Sequence, residues 1–248
     1  SRYMAGRSAN QGHCAHSCRW EYRVLEERER PGEYFPAEEG DKFTSILSSR
    51  DLCMVDHLRE LRDAGVDAVK IEGRMKSLYY TAVITRAYRK HLDALAPSPG
   101  SRMPRAEELA FFREELFKVS HREFSTGFYF GKEEIETPTL KTYLQSHIFL
   151  GLIGAESAPP GGTSGNGASF FKLEVNNKII AGEELQFIGP DLPLISGTDY
   201  LIRDEEGNPV PEADHGKRYI LETPLPLKEG YIIRRPVHPE ETASPRSE

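Results

Sequence analysis

Two periods of apolar and polar positions alternate along the chain from Lys42. Phe43 to Leu47 reads as a strand, and Met54, Val55, Leu58 and Leu61 then recur at helical spacing until Gly65 ends the helix. Val66 to Ile71 is a short, largely apolar run with strand character. Tyr80, Ile84, Ala87, Tyr88, Leu92 and Leu95 form the stripe of a longer helix entered after Ser77. This βαβα order predicts a parallel sheet with crossover helices. Two such units cannot close an eight-stranded barrel, so the expectation is either an open sheet or a barrel whose beginning is missing.

Ala96 to Pro104 (APSPGSRMP) has linker composition, and Leu109, Phe112, Leu116 and Val119 place one more amphipathic helix before the turn-rich segment HREFSTGFYFG. From His147 the pattern changes to short runs rich in Ile, Phe, Val and Tyr: HIFLGLIGA, SFFKLEV, ELQFIG, DYLIR, RYILE and YIIRRPV. Gly, Pro, Asn and Asp separate them, which predicts a small antiparallel barrel or sandwich whose closure would protect strand edges. Ala158 to Ala168 reads as a flexible loop, and the tail after Val237 as disordered.

Composition narrows the class. With 248 residues, 38% hydrophobic and 29% charged, the chain can bury one large or two smaller cores. No run is long and apolar enough to span a membrane and no secretory signal opens the chain, so a cytoplasmic protein with no membrane partner is expected. The chain begins at Ser1 with its first methionine at Met4, and enters Gly/Asn/Cys-rich sequence at once, which suggests a truncated start. A formal charge of -7 argues against a protein that coats nucleic acid. A local basic face is still available from Arg2, Arg7, Arg19 and Arg23 and from Arg74, Lys76, Arg86, Arg89 and Lys90; ordinary solvated helix surface is the alternative.

All three cysteines fall in the first 53 residues: Cys14 and Cys18 in GHCAHSC, and Cys53 in SSRDLC. In a cytosolic chain such clustering points to metal or redox work before disulfides, and soft thiolates suit iron-sulfur clusters or zinc. His13, His16 and His57 keep a Cys3His zinc site open, and small buried thiols with surface histidines are the plain alternative. Arg7, Asn10, Gln11, Arg19 and Trp20 combine cations, amides and the only tryptophan, a mixture that can contact phosphate and stack an unpaired base. Trp20 can equally anchor its loop in a core. There is no GxSxG elbow, no HExxH and no Cys-His pairing around a reactive thiol.

The strings GRSANQGHCAHSCRWEY, ERPGEYFP, SSRDLCMVDHLRELRDAGVDAVKIEGRMKSLYY and HREFSTGFYFG resemble, in order and wording, the collagenase-like peptidase (peptidase U32) superfamily of bacteria. The nearest branch is that of the prephenate-dependent tRNA uridine 5-hydroxylases. The likeness runs from Ser1 to about Gly131, and a weaker one, through VNNKIIAGEELQFIGP, extends to Pro236. It implies α/β plus all-β architecture: residues 1–97 as the last βα units of a TIM-type catalytic barrel, 98–146 as linker and amphipathic helix, 147–237 as a carboxy-terminal β-barrel and 238–248 as tail. The amino-terminal half of the barrel would then be a missing partner.

The same resemblance implies a 4Fe-4S cluster with Cys14 and Cys53 as ligands, Cys18 as a further possibility, and an upstream pair that this chain lacks. It also implies tRNA and a small-molecule carboxylate, prephenate, as substrates, and 5-hydroxylation of the wobble uridine as the reaction. Zinc, proteolysis and an RNA-binding fragment without chemistry are the alternatives. On a barrel of this kind active groups sit at the carboxyl ends of strands. Asp51, Glu72 and Arg74 are therefore the catalytic candidates, with Arg74 and Lys76 suited to an anion. Glu72 and Arg74 have a structural alternative as an ion pair closing the barrel mouth.

Overall fold

The computed structural model describes residues 38–40, 43–45, 50–96, 99–100, 102–131, 143–159 and 167–238. Its contacts divide the chain into one unit of Ser1–Met54 with His121–Tyr143 and another of Val55–Ser120 with Leu144–Glu248.

In the first unit, β1 (Glu38–Gly40) pairs with β2 (Phe43–Ser45) in an antiparallel ladder that sets Gly40 opposite Phe43. The strand expected at Phe43 is thus one arm of a local ladder and not the opening of a parallel sheet. Sequence neighbours only a few residues apart close such a ladder with little loss of chain entropy. The parallel element is smaller and lies further on. β3 (Asp51–Leu52) runs beside β4 (Phe124–Ser125), with Asp51 opposite Phe124 and Leu52 opposite Ser125.

The second unit joins three helices to an antiparallel sheet. A 3-10 turn over Val55–His57 leads into α1 (Leu58–Asp63), which stops at Gly65, where φ is +86°. A residue with a Cβ resists that left-handed conformation, so glycine sets the stop. Val66 to Ile71 is not a strand: none of the described strands lies beside it, and Val66 and Val69 are exposed. An apolar run becomes a parallel strand only where neighbours take its N–H and C=O groups.

Ser77 caps α2 (Leu78–Leu95), its hydroxyl accepting the Tyr80 N–H at 3.2 Å. The buried face of α2 is Tyr79, Val83, Ile84 and Ala87, which keeps Ile84 and Ala87 of the expected stripe and adds Tyr79 and Val83 on one side of it; Tyr80, Tyr88, Leu92 and Leu95 are only half-buried. The difference follows from what α2 packs on. α3 (Ala106–Glu115) and the turn after it supply Phe112 and Leu116, both buried, and fix which side of α2 leaves water.

The remaining chain forms β5 (His147–Glu156), β6 (Ser169–Val175), β7 (Ile179–Ile180), β8 (Leu185–Ile188), β9 (Ile195–Gly197), β10 (Leu201–Arg203), β11 (Glu212–Ala213), β12 (Tyr219–Thr223) and β13 (Ile232–Pro236). Seven of them make one sheet in the order β10-β12-β6-β5-β13-β8-β9, every pairing antiparallel, while β7 pairs with β11. Among the described residues the sheet is open at β9 and β10, a curled half-barrel where closure had been expected; both edge strands are only three residues long, which limits the pairing surface they offer. Ile179 and Ala213, from the small β7–β11 ladder, join Leu185, Phe187, Ile202, Leu221 and Ile233 in the core.

β5 is buried on both faces. Ile148, Leu150 and Ile153 enter the sheet's core, while Phe149 stacks on Tyr79 of α2 with ring centroids 6.0 Å apart. At Gly151 the chain passes so close to β6 that a Cβ would stand 2.1 Å from the Glu174 carbonyl oxygen. Among the described residues no helix is long and apolar enough to cross a membrane.

Candidate functional site at the ends of a parallel strand pair

Parallel strands present their carboxyl ends side by side, and β3 and β4 do so with Cys53 and Gly127 just beyond them. The pair is held by the Asp51 N–H donating to Glu123 O and the Cys53 N–H donating to Ser125 O, both at 2.9 Å. Side chains reinforce it. Asp51 Oδ2 accepts the Arg122 N–H at 2.9 Å and Oδ1 accepts Arg122 Nε at 3.1 Å, while Arg50 Nε lies 3.5 Å from Glu123 Oε2. His121, buried, stacks on Phe124 at 4.3 Å and donates from Nδ1 to the Arg122 carbonyl at 2.6 Å.

Asp51 therefore has both oxygens engaged by one arginine, which suits a carboxylate that fixes the strand pair better than one waiting for a proton. Cys53 is half-buried at the end of β3, a position and a donor type that fit a thiolate ligand. Among the described residues no group of three or more His, Cys, Asp and Glu is placed to hold a metal ion. Cys14, Cys18, His13 and His16, and the candidate RNA contacts Arg7, Asn10, Gln11, Arg19 and Trp20, lie outside the described residues.

The other candidates belong to the second unit. Glu72 Oε1 accepts the backbone N–H of Arg74 at 3.1 Å, so Glu72 shapes the turn before α2, and the guanidinium of exposed Arg74 is not its partner. Lys76 Nζ donates to the Ser120 carbonyl at 3.0 Å and stands 5.2 Å from the centre of the Tyr80 ring, so its charge is partly committed within the unit.

Sequence reasoning missed two features. Arg122, which takes Asp51, sits 71 residues away from it, and no local pattern marks the pair. The second is a buried ionic cluster on the sheet. Arg234, fully buried, donates to Tyr79 Oη and to Glu115 Oε1 at 2.9 Å each and to Gln186 Oε1 at 2.8 Å. Glu115, also fully buried, further accepts Arg86 at 3.0 Å and Lys118 at 2.7 Å. Burial works against the Glu115 charge, but the hydrogen bonds and charges of Arg234 and Lys118 outweigh it and leave the carboxyl below its ordinary range. Burial pushes the Tyr79 hydroxyl up to about 12, so it stays a neutral donor and acceptor. An arginine inside the apolar run YIIRRPV was the available signal.

Residues 1–139 match the pattern of Peptidase family U32, and residues 145–234 match the Peptidase family U32 C-terminal domain. The chain belongs to Peptidase family U32. It is 30% identical over 217 residues to the tRNA hydroxylation protein P1 of Bacillus subtilis (strain 168), covering 87% of this chain and 48% of that protein. It is 27% identical over 265 aligned positions to the tRNA hydroxylation protein P of Escherichia coli (strain K12), covering 91% and 55%. To the uncharacterized protease MJ0090 of Methanocaldococcus jannaschii it is 39% identical over 130 residues, 52% of this chain and 30% of the other. The chain spans about half the length of the tRNA hydroxylation proteins it matches.

Proposed function

We propose that this chain is part of an enzyme that hydroxylates tRNA at C5 of the wobble uridine, with prephenate as the small carboxylate cosubstrate. One observation carries the reading: the similarity to proteins named for tRNA hydroxylation extends over 87% and 91% of this chain, through both family regions. The protein is cytoplasmic in this reading, and residues 1–97 complete a TIM-type barrel together with further chain.

Cys14 and Cys53 would hold a 4Fe-4S cluster, with Cys18 as a further thiolate. Such a cluster, when bound, supplies electron transfer or Lewis-acid chemistry. Asp51 and Arg122 fix the strand end that presents Cys53, and Arg74 and Lys76 supply cationic charge for a carboxylate or phosphate. Arg7, Asn10, Gln11, Arg19 and Trp20 would meet the tRNA.

A second reading, proteolysis, has support in the family's description and in the relative described as a protease. Three measurements separate them. Deleting the gene should abolish 5-hydroxyuridine in total tRNA, with restoration by the wild type and not by Cys53→Ser. The anaerobically purified full-length protein should carry about four irons and four sulfides per chain, lost in Cys14→Ser and Cys53→Ser. Stoichiometric zinc with unchanged tRNA, together with collagen cleavage that survives both serine variants, would instead support the peptidase.

A further inference from the structure

The turn that leaves β4 exposes three consecutive aromatic side chains: Phe128 is 76% exposed, Tyr129 61% and Phe130 60%. Large aromatic rings normally leave water, so three in succession at one tip mark a contact surface. The turn has a defined shape. Gly127 has φ +61° and Gly131 φ +133°, the Gly127 N–H donates to Ser125 Oγ at 3.3 Å, and the Tyr129 N–H donates to Thr126 O at 3.3 Å. Leu52, from the end of β3, lies against Gly127 so closely that a Cβ there would come within 3.1 Å of its Cδ1.

Because β3 and β4 are parallel, these rings leave from the same end of the pair as Cys53. The flanking residues decide what they can bind. Ser125, Thr126, Gly127 and Gly131 are small or polar, and Leu52, itself exposed, comes against Gly127. A protein partner buries aromatic anchors within a wider apolar patch, whereas along this turn the rings are flanked by small or polar residues. Flat π-faces with a phenolic hydroxyl and little aliphatic area suit planar, polar-edged bases instead.

Resting on the RNA reading above, we infer that the turn 126–131 is a stacking platform for unpaired bases of the RNA substrate, with Phe128 and Tyr129 as its principal faces. An enzyme acting on a base must take it out of its own stack, and a platform beside the candidate centre replaces the lost stacking.

The test uses the full-length protein with two probes, a tRNA anticodon stem-loop carrying 2-aminopurine in the loop and a blunt RNA duplex. Phe128→Leu and Tyr129→Leu keep apolar bulk and remove the ring face. Each should weaken stem-loop binding by about tenfold, with duplex binding and melting temperature unchanged, and Phe128→Trp should bind at least as well as wild type. Photocrosslinking of the wild type to a 4-thiouridine loop should map to Phe128 or Tyr129. Stem-loop affinity unchanged in the leucine variants, crosslinks elsewhere, or a fall in melting temperature that shows the rings to be packed inside the full protein each overturns the platform. If the wild type binds neither probe, the RNA function itself fails; if it binds the loop and the leucine variants bind it equally, only the platform does.

Discussion

Arg234 of β13 and Glu115 at the end of α3, 119 residues apart in sequence, meet through a 2.9 Å hydrogen bond with neither side chain exposed. Arg234 stands opposite Phe149 of β5, where the register shifts between Ile233 and Arg234, so the bulge sets this residue on the face that also carries the Tyr79 contact. Arg86 adds a 2.8 Å bond to the Gly189 carbonyl, and Lys90 pairs with Asp191. The helices and the half-barrel are thus fastened by matched charges as well as by apolar packing.

Removing one partner leaves an uncompensated buried charge. Arg234→Met should cost about 3–5 kcal/mol in urea denaturation. Arg89→Ala, which breaks the exposed i,i+4 pair with Asp93, should change stability by less than about 0.5 kcal/mol. Equal effects from the two variants would refute the view that the buried cluster fastens the unit.

His147 opens β5 beside that cluster. Burial, with Arg234 and Lys118 adding to it, pushes its imidazole down from 6.5 to about 4. The unfolded chain therefore binds more protons than the folded one between those values. Stability contributed by neutral His147 is complete above pH 6.5 and is lost as pH falls towards 4, on the order of 3 kcal/mol in all. Glu115 acts later in the same direction, because its depressed carboxyl loses its contribution only below its ordinary value of 4.5. The urea midpoint should fall between pH 7 and pH 5, and His147→Gln should flatten most of that slope.

Gly151 and Gly216 separate two reasons for glycine. At Gly151 a Cβ would collide with backbone, 2.1 Å from Glu174 O and 3.1 Å from its carbonyl carbon, so β5 and β6 must part to admit it. At Gly216 φ is +83° and nothing lies within 4 Å, leaving only the conformational penalty. Gly216→Ala should cost about 1–2 kcal/mol. Gly151→Ala should cost more, with a lower melting temperature and faster amide exchange along β5; a milder effect than at Gly216 would mean the strands separate readily.

What the sequence made legible was local. Ser77 followed by a periodic stripe predicted α2, and the runs from His147 to Val237 located most strands of the half-barrel. Ile84 and Ala87 were placed on the buried face of α2, whereas Tyr79 and Val83 were missed because α3 selects that face, and α3 is a tertiary neighbour that periodicity does not identify. Val66 to Ile71 failed as a strand for a related reason: the bonds of a parallel strand come from partners distant in sequence. At the candidate site, Cys53 stood out by its residue type alone, whereas the Asp51–Arg122 pair and the shared end of β3 and β4 depend on a pairing across about seventy residues.

Asp51 offers the sharpest choice between a structural and a catalytic carboxylate. Its oxygens take both the main-chain N–H and the Nε of Arg122 in a partly exposed setting. If its work is to hold β3 against β4, Asp51→Asn keeps an acceptor for the Arg122 N–H and loses only the charge. It should then lower stability by roughly 1 kcal/mol, with the tRNA hydroxylation proposed above staying within a fewfold of wild type in cells. Arg122→Lys should resemble it, since an ammonium cannot reproduce the guanidinium's geometry. A general base behaves differently: Asp51→Asn would lower the rate by about 10²-fold or more, with little change in melting temperature and with Arg122→Lys far milder. Measuring both variants for 5-hydroxyuridine content and thermal stability decides the role, because only a structural Asp51 makes the two residues fall together.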